Sequence, residues 1–133
     1  MNSIARVQQI YEAFGKGDVP AILAALADDV QWEYGGYPNE VPWLQPLRGR
    51  ANVVKFFEAL GGIRLTRFEP RGLYGDERTV VALIDAEFTV VATGKQVVEP
   101  DEVHVWHFDA DGRVVRFRHR VDTWQHVQAL RRD

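Results

Sequence analysis

The chain has 133 residues, 46% of them hydrophobic and 26% charged, with a formal net charge of -3, a balance that suits one globular core. The slight acidity gives no general pull toward nucleic acid or anionic membrane, and no apolar run approaches the ~20 residues of a membrane span. Cysteine is absent, which excludes disulfides, thiol nucleophiles and cysteine-ligated metals. The opening Met-Asn-Ser-Ile-Ala-Arg has no apolar stretch of the kind that directs secretion, so a cytoplasmic protein is expected.

Ser3 is placed to cap a first helix in which Ile4, Val7, Ile10 or Tyr11, and Phe14 recur every three or four residues. Gly15 and Gly17 stop it. Asp18 and Pro20 start a second helix with Ala21, Ile22, Ala25 and Leu26 as its buried stripe, ended by Asp28-Asp29. Val30 to Tyr34 reads as a short strand with Trp32 and Tyr34 on one face. Gly35 to Gly49 is a long loop whose aromatic and apolar residues suit an ordered lid. Gly49-Arg50 opens a third helix with Val53, Phe56 or Phe57, and Leu60 in register, closed by Gly61-Gly62.

The remainder is nearly all strand. Ile63 to Tyr74 is one, with Pro70 marking an edge or a bulge. Thr79 to Val91, Gln96 to Phe108 and Arg113 to Val121 continue an antiparallel meander through turns at Gly75-Asp76, Thr93-Gly94-Lys95 and Asp109 to Gly112. Asp122-Thr123 caps a last helix, Trp124 to Leu130. Helices followed by hairpin-linked strands specify an α+β fold, with helices on one face of a curved antiparallel sheet in a single domain over residues 1–133. A cone of that shape leaves a ligand pocket wherever side chains do not fill it.

Strand parity concentrates the chemistry. His104, Trp106 and Phe108 share one face of their strand, and Phe117, His119 and Val121 share one face of the next. If the faces coincide, two imidazoles about 5 Å apart line one cavity. Imidazole titrates near neutrality, so one ring can accept a proton while the other donates; the competing role is a pair of satisfied core histidines. Glu99, Asp101, Glu102, His104 and His107 crowd one stretch, but parity divides them between two faces, so no metal site is expected. Asp85 and Glu87, and Arg116, Arg118 and Arg120, form rows suited to cross-strand ion pairs on the outer face.

The segments Val-Gln-x-x-Tyr-x-Ala-Phe at 7–14, Gly17-Asp18, Leu-Ala-Asp-Asp at 26–29, Trp32-Glu33, Arg48-Gly49-Arg50, Phe68-Glu69-Pro70-Arg71, Asp111-Gly112-Arg113 and Val121-Asp122-Thr123 together resemble the nuclear transport factor 2-like superfamily. They are most similar to its SnoaL-like, ketosteroid-isomerase-related bacterial members. The resemblance implies a cone-shaped sheet wrapped around N-terminal helices, no cofactor, and a homodimer through the outer sheet face. Members include isomerases, epoxide hydrolases, polyketide cyclases, dehydratases and silent binding domains, so the fold does not choose the reaction.

Carried over by position, the isomerase's oxyanion tyrosine falls on Ile10 with Tyr11 one residue away, its base on Tyr34, and its protonated Asp on His104. The Arg and two Asp of the epoxide hydrolases fall on Glu102, His104 and His119. Neither set is retained. The expected catalytic residues are therefore His104 and His119 for proton transfer, with Tyr34 donating to a developing oxyanion. Trp32, Trp43, Trp106, Phe56, Phe88 and Phe117, with Tyr37, are expected to hold a small apolar or aromatic ligand. The reading is an isomerase, cyclase or dehydratase acting on a carbonyl-bearing apolar substrate; the alternative is a non-catalytic ligand-binding or dimerisation domain.

Overall fold

The computed structural model describes residues 2–34 and 38–132. Tyr37, expected at the cavity, lies outside them. Helix α1 (Ser3–Gly15) is capped by Asn2, whose side chain accepts from the Ala5 N–H at 2.8 Å. Ser3 was the expected cap, but it is the first helical residue, buried, with its hydroxyl donating to the Glu77 carbonyl. Helix α2 (Val19–Ala24) starts as read, capped by Asp18 with Pro20 in its first turn. It ends earlier than its apolar pattern suggests. Leu26 opens strand β1 (Leu26–Tyr34) and pairs with Val114, so a buried ladder captures residues that periodicity alone assigned to a helix.

The long connection after β1 has structure of its own. Pro42–Leu44 forms a 3-10 turn that buries Trp43 and Leu44, and strand β2 (Leu47–Arg48) pairs with β1. Helix α3 (Arg50–Ala59) follows, then β3 (Ile63–Gly75), β4 (Thr79–Val90), β5 (Gln96–Phe108), β6 (Val114–Arg120) and α4 (Thr123–Leu130). The tight β3–β4 turn needs Gly75: at φ 156° a Cβ there would lie 2.0 Å from the Thr79 carbonyl oxygen.

The sheet runs β2-β1-β6-β5-β4-β3. All neighbours are antiparallel except β1 and β6. The fold is α+β, with a curved sheet and helices laid on one face. β3 is the outer edge strand, and its ladder slips beside Pro70, so the proline has both expected meanings. Val7, Ile10, Ile22, Trp32, Val53, Val80, Trp106, Phe108, Val114 and Phe117 form the main buried cluster between helices and sheet, each large side chain contributing about 1.5–3 kcal/mol by leaving water.

One irregularity controls the site. Ile84 pairs with Glu102 but Ala86 pairs with Glu99, so β5 carries an extra residue opposite Asp85. Asp101 takes up the bulge in the left-handed region at φ 59°. Its N–H donates to Asp85 Oδ1 at 3.1 Å, while Arg71 holds the other oxygen of Asp85 at 3.0 Å. The bulge reverses side-chain alternation along β5. Glu99 therefore turns inward together with Glu102 and His104, contrary to the division that strict parity implies. His107 stays on the outer face beside Arg116 and Arg118. The outer charged rows do pair across strands: Arg116 forks onto Glu33 at 2.7 and 2.9 Å, and Arg67 reaches Glu87 at 3.4 Å.

Candidate functional site

A cavity of about 100 Å³ lies between the helices and the sheet. Six of the seven aromatic residues expected to contact a ligand line it: Trp32 from β1, Trp43 from the 3-10 turn, Phe56 from α3, Phe88 from β4, Trp106 from β5 and Phe117 from β6. Phe117 is the centre of the wall, with ring centroids 4.2 Å from Trp32 and 4.4 Å from Trp106. Leu65, Phe14, Phe57, Leu60 and Ile63, all partly exposed, line the end bounded by α1, α3 and β3. Trp43 and Leu44 of the expected lid are instead buried wall residues.

His104 and His119 are direct cross-strand partners, with ring centroids 6.3 Å apart, and both line the cavity. Their environments differ. His104 is held at both nitrogens: Nδ1 lies 2.7 Å from the Tyr11 hydroxyl, and Nε2 faces Glu102 Oε1 at 3.4 Å. The Trp106 indole N–H donates to the same Tyr11 oxygen at 3.0 Å. His119, 5% exposed, has no hydrogen-bond partner among the described residues and packs edge-on against Tyr34 and Phe56. Burial, reinforced by nearby His104, pushes its pKa down to about 3 against the opposing pull of Glu102, so the ring is neutral at physiological pH.

Glu102 is the cavity's carboxylate. Burial raises it, but the contact with His104, with lesser effects of the neighbouring imidazoles, outweighs burial and holds it below the usual range. Burial pushes the Tyr11 phenol far above its ordinary range, with the Trp106 hydrogen bond acting the other way, so Tyr11 stays protonated.

Tyr34 does not line the cavity. Its hydroxyl meets the Thr123 hydroxyl at the start of α4, so the hydroxyl beside the imidazoles is that of Tyr11. A second buried set closes the far end. Trp43 Nε1 donates to His126 Nδ1 at 3.0 Å, His126 Nε2 meets Glu99 Oε1 at 2.6 Å, and Glu99 Oε2 accepts from the Asp122 N–H at 2.6 Å. Sequence reading missed the roles of Tyr11, Glu102 and His126. For His126 a signal existed: it lies one turn before Ala129, on the buried face of α4. Among the described residues, no group of three or more His, Asp or Glu side chains is placed to hold a metal ion, and no helix is long and apolar enough to cross a membrane.

A curved α+β sheet closing over an aromatic cavity with an inward carboxylate and imidazoles defines a nuclear transport factor 2-like (NTF2-like) architecture. Residues 7–117 match the SnoaL-like domain, and the chain belongs to that family. A crystal structure of an NTF2-like protein of unknown function from Burkholderia pseudomallei is 27% identical, with a TM-score of 0.83 over 99% of this chain and 100% of that one. TerC, co-crystallised with polyporic acid, is 24% identical, with a TM-score of 0.79 over 96% of each chain. A candidate polyketide cyclase from Pseudomonas putida is 20% identical, with a TM-score of 0.75 over 98% of this chain and 99% of that one. The last two likenesses concern the fold. No curated protein sequence matches the chain.

Proposed function

We propose that the protein is a cofactor-independent proton-transfer enzyme of the isomerase or cyclase class, acting on a one-ring, carbonyl-bearing, apolar substrate. The observation that carries this reading is the pairing of an ionised carboxylate, Glu102, with an unpartnered neutral imidazole, His119, inside an aromatic cavity. The roles differ from those expected of two acid–base histidines. Glu102 accepts a proton from the carbon next to the carbonyl. His119, kept neutral, donates its N–H to the oxygen on which charge develops. A neutral imidazole can polarise a carbonyl in this way. His104 has both nitrogens occupied, so it positions Glu102. Trp32, Trp106 and Phe117 hold the ring. A cavity of about 100 Å³ is smaller than the about 150 Å³ apolar void that accommodates benzene, which limits the substrate to a single ring. The fold shared with a candidate polyketide cyclase and with a protein crystallised with polyporic acid supports this choice.

The test is solvent exchange. Cyclohexanone and 2-cyclohexenone are incubated with the protein in D2O and followed by NMR. Deuterium should enter next to the carbonyl, and Glu102→Gln should slow entry by 10²-fold or more. The rate should hold through the ordinary Glu range near about pH 4.3 and fall only in stronger acid, with no inflection between about pH 5.5 and 8, where free imidazoles titrate. Equal rates in wild type and Glu102→Gln would defeat the assignment. The fully occupied nitrogens of His104 favour one second reading, a binding domain without turnover. Thermal stabilisation by these ketones with no deuterium entry would select it.

A further inference from the structure

We propose that the Trp106 indole fixes the direction of a hydrogen-bond relay through Tyr11 to His104, whose Nε2 faces Glu102, which makes Trp106 and Tyr11 positioning residues for that carboxylate. The inference rests on the reading of Glu102 as proton acceptor only for its functional meaning; the relay itself is a statement about protons.

The argument follows donors and acceptors. An indole N–H can only donate. Trp106 Nε1 is 3.0 Å from the Tyr11 oxygen, so that oxygen accepts. The Tyr11 phenol is protonated and buried, and among the described residues the only acceptor at hydrogen-bond distance from its oxygen is His104 Nδ1, at 2.7 Å. Its O–H therefore donates to Nδ1, and that nitrogen carries no proton. A neutral His104 must then carry its proton on Nε2, the atom facing Glu102 Oε1 at 3.4 Å. The opposite tautomer would leave the Tyr11 proton without an acceptor. It would also set a bare nitrogen lone pair against a carboxylate. Both are costly in a buried site.

The far end of the cavity repeats the pattern independently. The Trp43 N–H donates to His126 Nδ1, which leaves Nε2–H to face Glu99. In both sets a donor-only indole selects the same imidazole tautomer, and the ring presents N–H to a glutamate. One relay ends on the cavity. The other ends on the cap of α4, where Glu99 also accepts from Asp122. The charged and titratable groups facing Glu102 are His104 beside it, His119 across the ladder, His126 from α4 and Tyr11 from α1.

The consequence for chemistry is a carboxylate that always meets an N–H, so it stays ionised and oriented between turnovers.

Long-range 15N–1H correlation spectra of the intact protein at pH 7.5 read the tautomers directly. His104 and His126 should both appear as neutral rings protonated at Nε2. In Trp106→Phe the Tyr11 hydroxyl loses its enforced direction, and in Tyr11→Phe Nδ1 loses its donor; each should give His104 a mixture of tautomers while His126 is unchanged. In 13C-glutamate-labelled protein the Glu102 carboxyl midpoint should rise by about one pH unit in both variants. An Nδ1-protonated or doubly protonated His104 in wild type would overturn the relay. So would a single Nε2 tautomer that persists in both variants, or an unmoved Glu102 midpoint. These spectra need no substrate, so absence of deuterium exchange would remove the proposed reaction and leave the relay standing.

Discussion

The imidazole of His119 is stacked on Phe117, 5.5 Å between centroids, and lies beneath the same wall that holds Trp106 and Trp32. Its depressed value of about 3 contrasts with about 6.5 in an unfolded chain. Between those limits the unfolded state binds a proton that the native state refuses. The resulting penalty on folding is absent above pH 6.5 and grows as pH falls toward 3, by about 1.4 kcal/mol per unit. Urea unfolding at pH 4, 5, 6 and 7 should therefore show wild type losing stability with acid more steeply than His119→Gln, by about one proton's worth. Parallel lines would mean that His119 is already charged or open to water. The two inward imidazoles were legible from strand alternation on the condition that the faces of two neighbouring strands coincide, and His104 and His119 are cross-strand partners. Tyr11 was not. Its partners Trp106 and His104 are more than 90 positions away, and helical spacing alone left Ile10 and Tyr11 interchangeable.

Among the elements, β5 departs most from what its sequence suggests. Gln96 to Phe108 was readable as one strand to the residue, yet the inward set changes parity at Pro100-Asp101. Pro100 is the local sign of that change, since a proline inside a strand marks an edge or a bulge, but its effect on parity was not read; the bulge is held from β4 by Asp85, which is 6% exposed and pinned by Arg71. The backbone at Asp101 gives a direct test. A β-branched side chain tolerates φ near 59° poorly, whereas glycine adopts it freely. Asp101→Gly should keep the fold and change stability by less than about 1 kcal/mol, and Asp101→Val should cost about 1–2 kcal/mol in urea titration. If Asp101→Val matches wild type, the bulge is not fixed at that residue. The second helix shows the opposite balance. Its start was legible from Asp18 and Pro20. Its end was not, because Ala25 and Leu26 are claimed by the ladder to β6, where the Val114 N–H donates to the Ala25 carbonyl at 3.0 Å.

For the molecule as a whole, the order of helices and strands was enough to specify an α+β sheet with a covered face. The strand order was less accessible. Adjacent hairpins account for β3 through β6, but β1 returns to lie beside β6, parallel to it, and β6 becomes an interior strand with β5 on its other side. That pairing joins Leu26 to Val114 and Tyr34 to His119. A chain stopped at Gly112 should accordingly lack a cooperative unfolding transition in far-UV circular dichroism, and a truncated chain with a sharp transition would show that β6 is dispensable. Contacts of such sequence separation also slow the search for the native state. During synthesis the amino-terminal third must wait, its β1 edge and Trp32 without their permanent neighbours, until the ribosome has released residue 120. The nascent protein is thus exposed to wrong partners for most of its translation, and co-translational chaperones would have their longest opportunity on this segment.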